Sequence, residues 1–591
     1  MITKLTLRHF KSIKEQTYEF TNFDLLVGRN NSGKSTVLQA LAIWQFCVDE
    51  FHRSKRSGSK GIQVVLPNFT ALPVPEFNLL WKDRTDRHWP LVNGEKKQEY
   101  ILIGIDLEWR QASGEMASFG VELRYHSSQT IYAIPRGGWE KFRVCEQSGN
   151  FPKIAYVPPF SGLEPTEKWL DVAPLRQQVG KGQPGSVLRN LLLRVCPSPS
   201  RGSDGRVAKG YAAPADWIEL AGIVERWFSV EIREPRYDPL KDVYINVEYR
   251  QEGKDKDFDI IAGGSGFHQA LTLLAFLYGY RPTTILLDEP DAHLHVNLQR
   301  EILDYFKRKA LETNTQFLIA THAEEFVSGV DAAQIVSLLN QEPRRVQSAP
   351  EVLRAMSEVS NEEIASLMAS PYILYVEGES DERILRAWAA PCGAQTAMEK
   401  VYFKSMEGGD KQSMKTKADQ HFGALKQIIP GASRLILLDY DDRATFHPAP
   451  DNPALVEWKR KNIENYLLVL DAWKRAAAFL FGEGELFAQP VLHAIDDFFV
   501  GQNLTLPPGR TWRNVTANVF SAVDGKRILF EDDNSLFQQL RTATPTVQLI
   551  REQIAATMVA DEIHDDVHQF FGKLVSLTGT GPDRESASTQ E

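Results

Sequence analysis

Apolar and polar residues alternate from Leu5 to Phe10, the period-two pattern of a half-buried strand. Residues 1–27 read as a hairpin running into a mostly apolar segment, Phe23 to Val27, that predicts a buried strand. The period then changes. Thr36 to Phe46 carries helical spacing, and Glu50 to Lys60 is polar and basic and predicts a loop. Strands are expected at Tyr100–Leu107 and Phe119–Tyr125, with Glu108 to Ala117 connecting them, and again at Lys153–Pro159. From Glu164 to about Arg233 the pattern turns helical, broken by a Pro/Ser/Gly-rich stretch, Cys196 to Gly210, so residues 164–235 read as an inserted helical element. Val243–Arg250 predicts a strand, Ala270–Tyr278 a helix, and Thr284–Leu287 and Gln316–Ala320 two buried strands. Helical spacing returns after Pro350. Apolar strands follow at Tyr372–Val376 and Arg434–Leu438, and residues 453–576 are mixed and largely helical. Trp458, Trp473 and Trp512 there fit either a nucleic-acid-facing cap or a core. Residues 577–591 are polar and predict a disordered tail.

Composition narrows the class. The chain has 591 residues, enough for three or four domains, and is 43% hydrophobic and 24% charged, which supports folded domains with sizeable cores. A formal net charge of −10 argues against coating nucleic acid by bulk charge and leaves local basic patches open. Cys47, Cys145, Cys196 and Cys392 are scattered, with no C-x-x-C, so neither a disulfide framework nor a zinc site is expected. No apolar run reaches the length of about 18 residues that a membrane span needs. The alternating opening is not a signal peptide, and the expected location is the cytoplasm.

Between the buried strand and the helix stands Gly28-Arg29-Asn30-Asn31-Ser32-Gly33-Lys34-Ser35, of the form G-x-x-x-x-G-K-S. In this strand–loop–helix context the backbone N–H groups of Gly28 through Thr36, including Asn30, Asn31, Ser32 and Gly33, cradle phosphate oxygens at a helix N-terminus. Lys34 reaches the β- and γ-phosphates, and the Ser35 hydroxyl binds Mg²⁺. Gly264, Ser265 and Gly266 open a later helix as a second phosphate-binding surface. The apolar strand that follows ends in Asp288, placed to hold Mg²⁺, and Glu289, placed to polarise the attacking water. His322, at the next strand's end, is placed to sense the γ-phosphate.

A second constellation lies downstream. One apolar strand ends in Glu377, then Gly378, with Asp381 on a starting helix; another ends in Asp439-Tyr440-Asp441-Asp442. Two parallel strands that deliver carboxylates to one edge build a site for divalent ions, with Glu377, Asp381, Asp439 and Asp441 as oxygen ligands. Two such ions clamp the attacking and leaving oxygens of a phosphodiester.

Over residues 1–345 the first set resembles the ATP-binding-cassette ATPases, in the group related to the SMC and RecF proteins. Gly28–Ser35 correspond to Walker A, Gly264–Gly266 to the signature motif, Asp288 and Glu289 to Walker B, and His322 to the switch histidine. The usual D-loop aspartate is replaced near His295, and no glutamine is assigned to a Q-loop. In these ATPases the signature loop of one subunit closes on ATP held by another, so the resemblance implies a homodimer or a dimer of dimers. Residues 371–576 resemble a Toprim domain, a Rossmann-like α/β fold with an E-G then D-x-D pattern, after a linker helix at 346–370. ATPase followed by Toprim is the order of the OLD (overcoming lysogenization defect) family, which includes the large subunit of Gabija anti-phage defence. Lys461–Leu467 resembles a family helix, which implies that Glu464 supports the metal centre. Asp524-Gly525-Lys526 resembles a segment that places a lysine, here Lys526, at the scissile phosphate.

The resemblance implies an α/β protein using ATP, with Mg²⁺ or Mn²⁺ at both sites. Its activity would be an ATP-controlled endonuclease on nucleic acid, DNA first and RNA as an open alternative, in defence against phage or mobile elements, with a separately encoded partner such as a helicase. Two other readings stand beside it. One is a RecF- or SMC-like DNA-binding ATPase with a non-catalytic Toprim scaffold; the other is a sensor ATPase whose Toprim domain cleaves tRNA. Without a domain carrying a catalytic tyrosine, or zinc-binding cysteines, topoisomerase and primase are disfavoured.

Overall fold

The computed structural model describes residues 1–54, 61–92, 95–148, 151–198, 211–340, 342–406, 410–440, 447–449, 452–481, 485–543 and 549–581. The chain divides into two compact units, Met1–Leu353 and Arg354–Glu591.

The first unit is built on two six-stranded sheets among the described residues. Strands β1 (Ile2–Phe10) and β2 (Ile13–Glu19) form the expected hairpin, but β3 (Phe23–Val27) leaves it for the other sheet. The first sheet is antiparallel, in the order β2-β1-β5-β6-β7-β4, with β4 Ile62–Val65, β5 Ile103–Arg110, β6 Met116–Ser127 and β7 Thr130–Arg136. The second runs β8-β9-β10-β3-β11-β12, with β8 Ile154–Val157, β9 Thr284–Asp288, β10 Gln316–Thr321, β11 Ile335–Ser337 and β12 Arg344–Arg345. Its first five strands are parallel and β12 is antiparallel. β3, β9 and β10 are buried along their whole length, as strands covered on both faces must be.

Helix α1 (Lys34–Arg53) packs against strands of both sheets. That explains its composition: Val37, Leu38, Leu41, Ile43, Trp44, Cys47 and Phe51 are buried around most of its circumference. The Trp44 Nε1–H donates to the Phe119 carbonyl at 3.0 Å, which satisfies the one polar atom of that buried ring. The two sheets are also stitched by Gln316 at the start of β10. Its Oε1 accepts from Ile2 N at 2.8 Å, and its Nε2 donates to the carbonyls of Ile2 at 2.7 Å and Thr21 at 2.6 Å.

The helical insertion comprises α2 (Val172–Gly180), α3 (Leu188–Val195) and α4 (Ala215–Phe228); most of the Pro/Ser/Gly break lies outside the described residues. Several expectations need correction. Glu108–Arg110 and Met116–Ala117 belong to strands, because Trp109 stays buried and extends the alternation. Glu50–Arg53 is helix, with Phe51 buried, and Lys55–Lys60 lie outside the described residues. The strand expected from Val243 starts only at Glu248. The single linker helix at 346–370 is two helices, Ala349–Ser357 and Asn361–Ala369, the second opened by a Ser360–Glu363 capping box.

In the second unit a four-stranded parallel sheet runs β14-β13-β15-β16, with β13 Tyr372–Val376, β14 Val401–Ser405, β15 Ser433–Leu438 and β16 Leu455–Glu457. Helix α5 (Glu379–Ala389) follows β13. The helical remainder packs on this sheet in one core that includes Trp388, Trp458, Trp473 and Phe570. Trp458 and Trp473 are therefore core residues rather than a nucleic-acid-facing surface, and Trp512 packs at the core's margin.

Candidate functional site

The phosphate loop spans the turn from β3 to α1. Gly33 caps the helix at φ 96°, in the left-handed region that a side chain resists, and so lets Lys34 begin α1 pointing back over the loop. Lys34 Nζ donates to the carbonyls of Gly28 at 2.8 Å and Arg29 at 3.0 Å. Burial lowers its pKa, against the raising charges of Glu289, Asp288 and Asp291. Ser35 Oγ donates to Asp288 Oδ1 at 2.9 Å, and Tyr156 OH donates to Asp288 Oδ2 at 3.0 Å. Burial raises the Asp288 pKa against those two hydrogen bonds. A hydroxyl and a carboxylate in contact are the hard oxygen pair that suits Mg²⁺.

Glu289 follows β9 at φ 51°, and His322 Nδ1 lies 3.5 Å from its Oε1. Lys34, Ser35, Asp288, Glu289 and His322 are thus gathered at the carboxyl ends of adjacent parallel strands, where α/β proteins place ligands. Gly264 caps the helix Ser265–Tyr280, and a Cβ added to Gly266 would lie 3.0 Å from the His293 carbonyl oxygen. Tyr156 was not singled out from the sequence. Its signal is a tyrosine on β8, the strand paired with β9.

The second cluster occupies one cavity of about 280 Å³, lined by Glu377, Gly378, Ser380, Asp381, Ser405, Asp439, Glu464 and Lys526. The sheet register explains half of it. Tyr375 pairs with Ile436 and Val376 with Ser405, so Glu377, Asp439 and Ser405 emerge side by side at one edge. Asp381 Oδ2 accepts from Gly378 N at 2.9 Å at the start of α5. The other half comes from two distant turns. Glu464 sits in a 3₁₀ turn, Ile463–Leu467, rather than an α-helix. The neighbouring Asn465 accepts from Gly525 N at 3.1 Å and donates to the carbonyls of Phe520 and Val523, both at 2.8 Å. A Cβ on Gly525 would lie 2.7 Å from Asn465 N, so only glycine allows this approach, which brings Lys526 to Glu464. Lys461 and Asn462 both bind Asp524 at 3.0 Å and hold the same turn.

The electrostatics reflect the crowding. Asp381 is pushed up to about 7, by burial first and then by Glu464 and Glu377, against its backbone hydrogen bond and Lys526. Asp439 is pushed well above the carboxylate range by burial, then by Asp381, Glu377 and Glu464. Burial also raises Glu464, although Arg551 Nε donates to its Oε1 at 2.8 Å. For Lys526, burial lowers the pKa, but Glu464, Glu377 and Glu531 outweigh it and keep the ammonium charged. The donor set is all oxygen, and its excess negative charge is what a hard divalent cation offsets. Among the described residues no three His, Cys, Asp or Glu side chains stand close enough together to hold a metal ion as they are placed. Asp441 lies outside the described residues. Arg551, which faces Glu464, gave no sequence signal, being one arginine on a short helix, Arg551–Ala556.

Residues 1–54 match the family model described as "AAA ATPase domain", and residues 115–328 match the one described as "AAA domain, putative AbiEii toxin, Type IV TA system". The first unit carries an ATPase domain of the AAA type. Such domains use ATP, typically with Mg²⁺. No curated protein matches the chain. Among solved structures, the SMC head domain from Thermotoga maritima is 16% identical, with 57% of this chain and 94% of that chain covered at a TM-score of 0.29. A Pyrococcus furiosus Smc head domain bound to the C-terminal domain of ScpA is 14% identical, with 57% and 92% covered at 0.34. No helix among the described residues is long and apolar enough to cross a membrane.

Proposed function

We propose that this chain is an ATP-controlled, metal-dependent endonuclease of the OLD type, an ABC/SMC-RecF-like ATPase followed by a Toprim domain. The observation that carries the reading is the convergence of Glu377, Asp381, Asp439, Glu464 and Lys526 on one cavity at the carboxyl edge of a parallel sheet. A scaffold would have no reason to keep several half-buried acids in mutual repulsion. Glu377, Asp381, Asp439 and Asp441 would hold Mg²⁺ or Mn²⁺, with Glu464 in support. The ion supplies Lewis-acid activation of water and charge stabilisation at the phosphodiester. Lys526 would neutralise charge on the scissile phosphate. In the first unit Lys34 and the Gly28–Thr36 amides would hold the ATP phosphates, Ser35 and Asp288 the Mg²⁺. Glu289 would orient water, and His322 would report on the γ-phosphate. Gly264–Gly266 would complete the site on a second copy, which makes the working form a homodimer or a dimer of dimers. Cytoplasmic defence against phage or mobile elements, with a separately encoded partner, fits this combination.

A second reading, in which the same carboxylates cleave RNA such as tRNA, follows from the chemistry, because metal-assisted phosphodiester hydrolysis is the same on either backbone. One experiment tests both. Purified protein is incubated with plasmid, linear duplex, single strands and total tRNA, with Mg²⁺ or Mn²⁺, with and without ATP, beside Asp439→Ala and Lys34→Ala. We expect metal-dependent cleavage lost in Asp439→Ala, and ATP hydrolysis lost in Lys34→Ala. Cleavage unchanged in Asp439→Ala rejects the nuclease.

A further inference from the structure

A second cavity, of about 370 Å³, adjoins the carboxylate cavity, and Ser380 lines both. Its walls include Arg383, Phe530, Phe537, Arg551 and Glu552. Phe530 leans on the buried Trp473, with ring centroids 5.7 Å apart, and carries the Arg551 guanidinium 4.4 Å from its own centroid. Arg551 is also the residue that donates to Glu464 at 2.8 Å. One side chain therefore touches an acid of the first cavity and the aromatic tier of the second. Arg383 is shared between Glu379 at 3.2 Å and Glu552 at 3.6 Å, and all three are open enough to water for these pairs to exchange readily.

Two arginines balanced by two glutamates do not make a phosphate trap. They suit a flat, uncharged ring that carries hydrogen-bonding groups on its edge. Phe530 and Arg551, backed by the buried Trp473, offer a stacking surface, Phe537 an apolar wall, and Glu552 and Arg383 an acceptor and a donor. A carboxylate accepts from the amino groups of cytosine, adenine and guanine; thymine and uracil offer it only a ring N–H between two carbonyls.

Resting on the nuclease reading, we infer that this cavity receives an unpaired nucleobase neighbouring the scissile phosphate, with preference for a base that bears an amino group. A stacked, paired base cannot reach it, so the substrate is single-stranded or opened at the cut.

Two readouts test this in the full chain. The first is binding of a single-stranded oligonucleotide carrying 2-aminopurine to Asp439→Ala protein, which needs no catalysis. Stacking should quench the fluorescence, and adding Phe530→Leu, which keeps an apolar side chain but removes the ring, should weaken that binding roughly tenfold. The second is sequencing of cut sites in a randomised single-stranded pool. Thymine should be depleted beside the cut, and Glu552→Gln, which keeps the shape, should alter that bias. Unchanged quenching with Phe530→Leu overturns the base pocket, as does a cut-site profile with no base bias in the wild type. Cleavage that persists in Asp439→Ala overturns the nuclease reading instead, while the quenching arm still decides the pocket.

Discussion

Asp381 is held among Glu464, Glu377 and a backbone N–H, and burial first of all raises its folded pKa to about 7, above the ordinary 3.8 of an aspartate. The sign of the consequence is fixed by linkage. Between those values the folded state binds the proton and the unfolded state does not, so stability falls as pH rises towards 7 and stays reduced above it. Asp381→Asn removes that cost. In melts with EDTA the variant should exceed wild type in Tm at pH 8, with the gap smaller at pH 5 and closing only as the pH approaches the unfolded value; an equal gap at pH 8 and pH 5 would reject the strained-carboxylate account. Mg²⁺ should raise the wild-type Tm more at pH 8 than at pH 5.5. Glu377, Asp381 and Asp439 were legible because each stands directly behind an apolar strand or at a helix start. Glu464 and Lys526 were reachable only through family resemblance, since Asn465 joins their turns across about 60 residues and no periodicity records that contact. Arg551 left no trace at all.

At the scale of elements, β3 carries the phosphate loop and also a fully buried acid, Asp24. That carboxylate accepts from Thr21 N and Oγ1 and from Arg345 of β12, so an edge strand neutralises the centre of the sheet. Arg345→Ala leaves the acid with Thr21 alone. Because Arg345 is partly exposed, the expected loss is about 1–3 kcal/mol of unfolding free energy, read by urea denaturation. A loss below the error of that measurement would place the neutralisation elsewhere. Apolar runs located β3, β9, β10, β13 and β15 because strands covered on both faces have little choice of residue. Strand ends were less legible: β5 continues through Glu108 and Arg110, polar residues on the less buried face of a strand whose other face is core. The 3₁₀ turn that carries Glu464 resembles a short helix in sequence, and only its tertiary hydrogen bonds set it apart.

At the scale of the whole molecule, the proposed signature-to-Walker closure makes ATP a cross-linker of copies. Glu289→Gln should bind ATP without turning it over, so light scattering should show the mass doubling when ATP is added and reverting when Lys34→Ala is combined with it. A mass independent of ATP in both proteins would reject closure across copies. Within the first unit, β10 joins two kinds of fixture. Its last residue, Thr321, donates to Asp291 and adjoins His322, while its first, Gln316, grips the backbone of Ile2 and Thr21. At about 3.3 Å per residue the two ends lie under 20 Å apart along a strand that does not stretch. The amide of Ile2 is therefore a remote gauge of the nucleotide site: its hydrogen–deuterium exchange should slow when ATP clamps the far end, and Gln316→Ala should disconnect it.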